Sequence, residues 1–296
     1  MTYGIIDLGS NTVRIALYRM SKTKTLINTF TQKETVGLSS YIKKNGNMSD
    51  EGIKTAVNIV NEFKAIARKR QVKKLFVIAT AVIRNANNKD LILETLALET
   101  KLAIDYLSGE EEALYGVYGV NQSYTYDKGI IVDIGGGSTE LTLFNDKNIE
   151  ASVSIPIGSL NSYIDHVQQL LPTKKEIEAI ESSFKNHLNK LRKIEGLPIY
   201  GLGGTLNALK KLINGSSEQP ITYQELKALI KAIKPKEKET YLHLIQVVPE
   251  RLHTIMPGLI IIRTIFKYFN VEEMFVSKPG IREGYIYTKF SEYLEE

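Results

Sequence analysis

Residues 129–144 read Gly129-Ile-Ile-Val-Asp133-Ile-Gly-Gly-Gly137-Ser-Thr-Glu140-Leu-Thr-Leu-Phe144. Branched and leucine-rich runs flank a turn of small residues, which predicts strand, turn, strand. The same order occurs near the N-terminus, where Gly4-Ile-Ile-Asp7-Leu-Gly9-Ser10-Asn11-Thr12 leads into Val13-Arg-Ile-Ala-Leu-Tyr18. The two aspartates stand 126 residues apart, about the length of one domain. Each motif ends an apolar strand on an acid and then places residues small enough for backbone N–H groups to approach an anion. The acid can hold Mg²⁺, or a water on it, near the same phosphate. One such hairpin alone is most simply a glycine turn. Two at domain spacing, with a third glycine turn over Gly201 to Thr205, favour two halves that grip a phosphate chain.

Working outward, residues 25–36 suit a third strand after the first hairpin. Ser49 caps a helix in which Ile53, Ala56, Val57, Val60, Phe63 and Ala67 recur at helical spacing. Its basic end, Arg68-Lys69-Arg70, complements the helix dipole. Lys74 to Thr80 is a short apolar strand of the kind a sheet buries on both faces. A helix over about 88–101, a strand at 103–107 and a helix from Ser108 to Val120 follow. The polar segment 122–128 marks a domain boundary. Beyond the second hairpin, Thr173-Lys-Lys-Glu176 is a capping box that opens a helix to about Ile194. Residues 198–209 predict strand, glycine turn and helix. Short helices are expected at 222–233 and 236–245, a longer apolar one at 257–269, a core strand at 273–277 and a closing helix at 282–294.

The 296-residue chain is 43% hydrophobic and 24% charged, as ordinary globular proteins are. It contains no cysteine, which excludes disulfides, thiolate metal sites, iron–sulfur clusters and a cysteine nucleophile. No apolar run approaches the ~20 residues of a membrane helix. The first apolar stretch contains Asp7 and lacks a signal-peptide layout, so a cytoplasmic protein without membrane contact is expected. The net charge of +5 suits a polyanionic ligand as well as a solubilising surface. His166, His187, His243 and His253 share no metal-ligand spacing and read as structural. Arg68-Lys69-Arg70 with Lys73-Lys74 reads as a helix end and a solvated face. It has no interleaved aromatics, so nucleic acid is not expected.

These motifs resemble the actin/Hsp70/sugar-kinase superfamily and, within it, the exopolyphosphatase / guanosine pentaphosphate phosphohydrolase family. The matching pieces are Asp7-Leu-Gly-Ser-Asn11, Ala79-Thr-Ala-Val-Ile-Arg84-Asn-Ala, Leu107-Ser-Gly-Glu-Glu-Glu112-Ala and Val132-Asp-Ile-Gly-Gly-Gly-Ser-Thr-Glu140-Leu. Gly201-Leu-Gly-Gly-Thr205, Met256-Pro-Gly258 and Gly280-Ile-Arg-Glu-Gly284 follow in family order. The resemblance implies two α/β domains of ribonuclease-H-like topology, over 1–122 with 285–296 and over 123–284, with a phosphate-binding cleft between them. It implies that the last helix returns to the first domain, and hydrolysis of a terminal phosphoanhydride of inorganic polyphosphate or guanosine pentaphosphate. A homodimer is common in the family. The family's catalytic glutamate falls on Glu112, its important acids on Asp133 and Glu140, and its arginine near the site on Arg84. A divalent cation, usually Mg²⁺, is implied.

The chemistry fits these residue types. Water must be positioned and relieved of a proton, and phosphoryl charge must be neutralised. Glu112 is the candidate base, and Arg84 can fork onto phosphate oxygens. Gly9, Ser10, Asn11 and Thr12 form one phosphate-binding turn; Gly135, Gly136, Gly137, Ser138 and Thr139 form another. Gly203, Gly204 and Thr205 are a third candidate. Asp7, Asp133 and Glu140 are the candidate metal ligands. Glu110, Glu111 and Glu112 stand together at a helix start, where acids are stabilised anyway. Ser108 and Glu111 have capping-box spacing. Successive helical residues point about 100° apart, so only one of the three can face a site squarely.

The chain also departs from the family. Longer members carry a further C-terminal region with an HD-type helical domain. Here only 12 residues follow Gly284 and no His-Asp dipeptide occurs, so a two-domain short form with weak processivity or a preference for short chains is expected. Asn161 and Asn207 stand where the family often shows arginine, and Lys278 is a candidate replacement charge. Two other readings share the hairpins. One is a non-catalytic sensor of polyphosphate or an alarmone, against which the retained Glu112, Asp133 and Glu140 argue. The other is a small-molecule kinase, which would need a base at its sugar site in place of Glu112.

Overall fold

The computed structural model describes residues 1–22, 25–122, 124, 128–145, 148–189, 196–213 and 219–294, the last four as backbone only. Most of the boundary segment 122–128, the end of the helix expected to reach Ile194, and the last two residues of the chain lie outside this set. The chain divides into two compact units, Met1–Gly119 with Ile281–Glu296, and Val120–Gly280.

The first unit is built on a five-stranded sheet. Strands β1 (Thr2–Leu8) and β2 (Thr12–Met20) form the N-terminal hairpin, with Asp7 opposite Arg14. β3 (Leu26–Thr35) extends it antiparallel to β2, while β4 (Lys74–Ala79) and β5 (Ile104–Tyr106) add in parallel on the other side. The order is β3-β2-β1-β4-β5. Both faces of the central strands are covered, which is why they read as continuous apolar runs. On one face Ile6, Leu8, Val13 and Ile15 meet Ile53, Ala56, Val60 and Phe63 of α1 (Asp50–Lys69). Ser49 caps α1 by accepting from the Gly52 N–H at 3.2 Å. On the other face Tyr3, Ile5, Ala16 and Tyr18 meet Tyr285, Ile286 and Phe290 of the last helix, α11 (Ile281–Leu294). Between β4 and β5 lie one turn of helix, α2 (Ala81–Arg84), and α3 (Lys89–Thr100); α4 (Gly109–Val120) follows β5.

The second unit repeats the plan. β6 (Lys128–Ile134), β7 (Thr139–Asn145) and β8 (Asn148–Ile155) are antiparallel, and β9 (Ile199–Leu202) and β11 (Glu273–Val276) add in parallel beyond β6. The short β10 (Ile221–Thr222) pairs on the far edge, giving the order β10-β11-β9-β6-β7-β8. α5 (Ser159–His166), α6 (Lys174–Leu188), α7 (Gly203–Ile213), α8 (Tyr223–Ala232) and α9 (Lys238–Val247) surround α10 (Ile255–Phe269) and the sheet. Twelve of the fifteen residues of α10 are buried, as a helix apolar on all sides requires. The repeat is therefore topological as well as sequential. Asp133 lies opposite Glu140 as Asp7 lies opposite Arg14, so equivalent positions carry an acid in one unit and a cation in the other.

α2, β8, α5 and β10 were not expected from the sequence. In β8, Ile149, Ala151, Val153 and Ile155 alternate with polar residues, a strand pattern that the sequence reading passed over. The strand, glycine turn and helix expected over 198–209 are β9 and α7, joined directly at Gly203 with φ +81°. Among the described residues no helix is long and apolar enough to cross a membrane.

Candidate active site

In each unit the candidate residues gather at the carboxyl ends of the parallel strands, the end at which open α/β sheets bind ligands. Asp7 closes β1. The Asn11 carbonyl accepts from the Val36 and Gly37 N–H groups, and the Ser10 carbonyl from that of Ser39, at 2.9–3.0 Å. These bonds fix the Gly9-Ser10-Asn11 turn, and Thr12 starts the return strand. Ser10 and Asn11 are buried.

Arg84 follows β4 and Glu112 follows the neighbouring β5. The Arg84 Nη1 donates to Glu112 Oε2 and, at 3.4 Å, to the Leu107 carbonyl. Glu112 is only 5% exposed, so its charge is out of water and neutralised by Arg84. Its neighbours in sequence have another task. Glu111 Oε2 accepts from the Ser108 N–H at 2.8 Å, and Ser108 Oγ accepts from the Glu111 N–H at 3.1 Å, closing a capping box. Of the three adjacent glutamates only Glu112 turns inward.

In the second unit the glycine triplet is strapped to the start of α5. The Ser159 N–H donates to the Gly135 carbonyl at 2.9 Å, and the Leu160 and Asn161 N–H groups to that of Gly136 at 2.8 and 3.0 Å. Asn161 Nδ2 donates to the Gly137 carbonyl at 2.9 Å, while its Oδ1 accepts from the Gly158 N–H at 2.7 Å. Thr139 Oγ1 donates to the Ile157 carbonyl at 2.7 Å. Asn207 donates in the same way to the Gly203 carbonyl at 2.8 Å. Both asparagines thus hold a glycine carbonyl.

Cross-strand partners of an antiparallel pair share a face, so Asp133 and Glu140 project together. Glu140 Oε1 accepts from Ser138 Oγ at 2.6 Å and from Ser154 Oγ at 2.9 Å. Asp133 lies against Gly203, where any Cβ would collide with Oδ1. A Cβ on Gly204 would likewise strike the Arg251 guanidinium, whose Nη1 donates to Thr205 Oγ1 at 3.3 Å. Thr205 Oγ1 in turn donates to the Ile134 carbonyl at 2.9 Å. Burial draws the Arg251 guanidinium below its ordinary range, and the carboxylates of Glu250 and Asp133 oppose it.

Arg251 and Arg282 were given no role in the sequence reading. Arg282 Nη1 donates to Asp7 Oδ2 at 3.0 Å. Burial disfavours its charge, but Glu283, Asp7 and Tyr18 outweigh burial and raise it above the usual range. Its signal was the Gly280-Ile-Arg-Glu-Gly284 motif; that of Arg251 was only its place just before Met256-Pro-Gly258. Among the described residues no three acids or histidines cluster as a complete protein cage for a metal.

The model of the Ppx/GppA phosphatase family matches residues 18–292, so the chain belongs to that family. It is 28% identical to the guanosine-5'-triphosphate,3'-diphosphate pyrophosphatase of Vibrio atlanticus, covering 99% of this chain and 60% of that protein. The chain thus spans less than two thirds of that relative's length. A protein of Haemophilus influenzae, provisionally named an exopolyphosphatase, is 26% identical over 96% of this chain and 90% of its own. The crystal structure of the Aquifex aeolicus Ppx/GppA family member superposes with a TM-score of 0.82, at 25% identity, over 99% of this chain and 98% of that one. The fold is that of the family's two actin-like α/β domains.

Proposed function

We propose that this protein hydrolyses the terminal phosphoanhydride of inorganic polyphosphate or of guanosine pentaphosphate, releasing orthophosphate and a ligand one phosphate shorter. The observation that carries this reading is the buried Glu112, oriented by Arg84 at the ligand-binding end of a parallel sheet. In this reading Glu112 accepts the proton of the attacking water, and Arg84 holds it in one rotamer. The donors for phosphate charge are the amides of the Gly9–Thr12 turn in the first unit, and the amides of the Gly135–Thr139 turn with the Arg251 guanidinium in the second. The Gly203-Gly204-Thr205 junction places that guanidinium.

Mg²⁺ takes one or two carboxylates and leaves its other positions to water and phosphate oxygens. Asp133 and Glu140, on one face of the β6–β7 hairpin, offer that donor set. Asp7 carries Arg282 on Oδ2, so it could serve a metal only through Oδ1 or a water. When bound, the ion would neutralise charge on the phosphoryl oxygens. Retention of these acids supports an enzyme over a sensor. The test is phosphate release, with Mg²⁺, from short polyphosphate, long polyphosphate and guanosine pentaphosphate, beside Glu112→Gln. A fall of at least ~100-fold in the variant is expected for loss of a general base. Release unchanged by the substitution, or absent from all three substrates, overturns the reading.

A further inference from the structure

Lys210 lies two turns into α7, one turn beyond Asn207 on the same helix face. Helical side chains lean toward the helix N-terminus, so Lys210 reaches back toward the β9–α7 junction. Its Nζ has no exposed surface and no hydrogen-bond partner among the described residues. An ammonium offers three donors and no acceptor, and leaving its charge buried without a counter-charge is costly.

The charge beside it has the same sign. Lys278 stands on the segment that leaves β11, the parallel neighbour of β9. The Ser277 N–H donates to the Gly201 carbonyl at 3.0 Å and Ser277 Oγ to the Pro279 carbonyl at 2.8 Å, which fix this segment beside the junction. Burial, and then the charge of Lys278, draw the Lys210 ammonium below its ordinary range. Among the described residues these two neighbouring cations, one with its Nζ buried and unpartnered, have no anion between them. Lys211, the next residue in the helix, is exposed and in no such position.

We propose that Lys210 and Lys278 form an oxyanion subsite of the second unit, which takes a phosphate group of the ligand other than the one being cleaved. The inference rests on the phosphate-chain reading above and deepens it. It also supplies, one helical turn later, the cation that Asn207 does not provide. A phosphate seated there would accept from both ammonium groups and remove their repulsion.

The test reads binding, so it is independent of turnover. Inorganic tripolyphosphate is titrated calorimetrically into the intact protein with chelator present, at fixed ionic strength. The same titration is run on Lys210→Met, Lys278→Met and the control Lys211→Met. We expect affinity to fall about tenfold or more in the first two, as for loss of a charge-assisted bond, and less than twofold in the control. Should Lys210→Met fold poorly, lysine-selective ¹³Cε NMR of the unsubstituted protein replaces it. In a pH titration read that way, the midpoint of the Lys210 signal is expected to rise when tripolyphosphate is added, and the rise to be lost in Lys278→Met. No tripolyphosphate binding, binding insensitive to both substitutions, or an unmoved Lys210 midpoint each overturns the subsite. Loss of phosphate release by itself bears only on the catalytic reading.

Discussion

Arg282, the second residue of the last helix, donates to the carboxylate of Asp7, the acid that ends the first strand. Glu283, the next residue, accepts from the Tyr18 hydroxyl of the same hairpin. The first hairpin is therefore held from the far end of the chain. Both partners of the Arg282–Asp7 pair are about one-fifth exposed, 19% and 21%. Arg282→Gln should destabilise the first unit by about 2 kcal/mol, between an exposed and a fully buried pair. A urea-unfolding cycle with Asp7→Asn is expected to show coupling above ~0.5 kcal/mol. Additive effects would mean that the two side chains act independently.

The two neighbouring glutamates of α4 should separate cleanly. Glu111→Ala removes the capping box and should cost about 1 kcal/mol while leaving phosphate release within twofold. Glu112→Gln leaves the cap intact and should abolish most of the release. Comparing melting temperatures with rates checks both halves of the statement.

Gly203→Ala meets two obstacles. The backbone there has φ +81°, which an L side chain adopts at a cost of about 1–2 kcal/mol, and the new methyl would enter the Asp133 carboxylate. A loss of at least 2 kcal/mol is expected in thermal denaturation. Gly196→Ala, also at positive φ but with open space around it, should show only the backbone part of the loss.

Stability should also respond to pH through His253, which packs edge-on against Tyr163. Burial, then the Arg251 charge, lower its pKa from the ordinary 6.5. The unfolded chain therefore takes up this proton first as pH falls, so stability is lost from about pH 6.5 downward until the folded pKa is passed. Urea denaturation at pH 7.5 and pH 5.5 should show this loss in the parent protein and a smaller one in His253→Gln. Glu181 also has a lowered pKa: burial is opposed and outweighed by Lys267 and Arg263. Its contribution is lost only lower, as pH falls through the carboxylate range, which separates the two groups.

The strands and helices that the sequence announced are those whose side chains carry the signal locally. The hairpins, the Ser49 and Thr173 caps and the apolar α10 follow from spacing alone. β8 carries a local signal as well, the alternation of Ile149, Ala151, Val153 and Ile155 with polar residues, and was nevertheless passed over. The repeat itself could have found it, since β3 occupies the same place after the first hairpin. Among Glu110–Glu112, the cap made by Glu111 was legible from its spacing to Ser108, whereas Glu112 was singled out by the family resemblance. Arg251 and Arg282 were not legible, because their partners lie far away in sequence. The role of Asn161 as a backbone strap was hidden for the same reason, since Gly137 lies 24 residues away; Asn207 holds the Gly203 carbonyl one turn back in its own helix, a local bond that was simply missed.

The first unit closes only when α11 covers Tyr3, Ile5, Ala16 and Tyr18. During synthesis those strands emerge first, yet their apolar face must wait until the ribosome has also made the whole of the second unit. The second unit is continuous in sequence and can fold while that face is still bare. The order of biogenesis is thus inverted relative to the chain: the half translated first is the half completed last. Over that interval the exposed face is the natural target for a chaperone, and a nascent chain stalled before Ile281 would present it indefinitely.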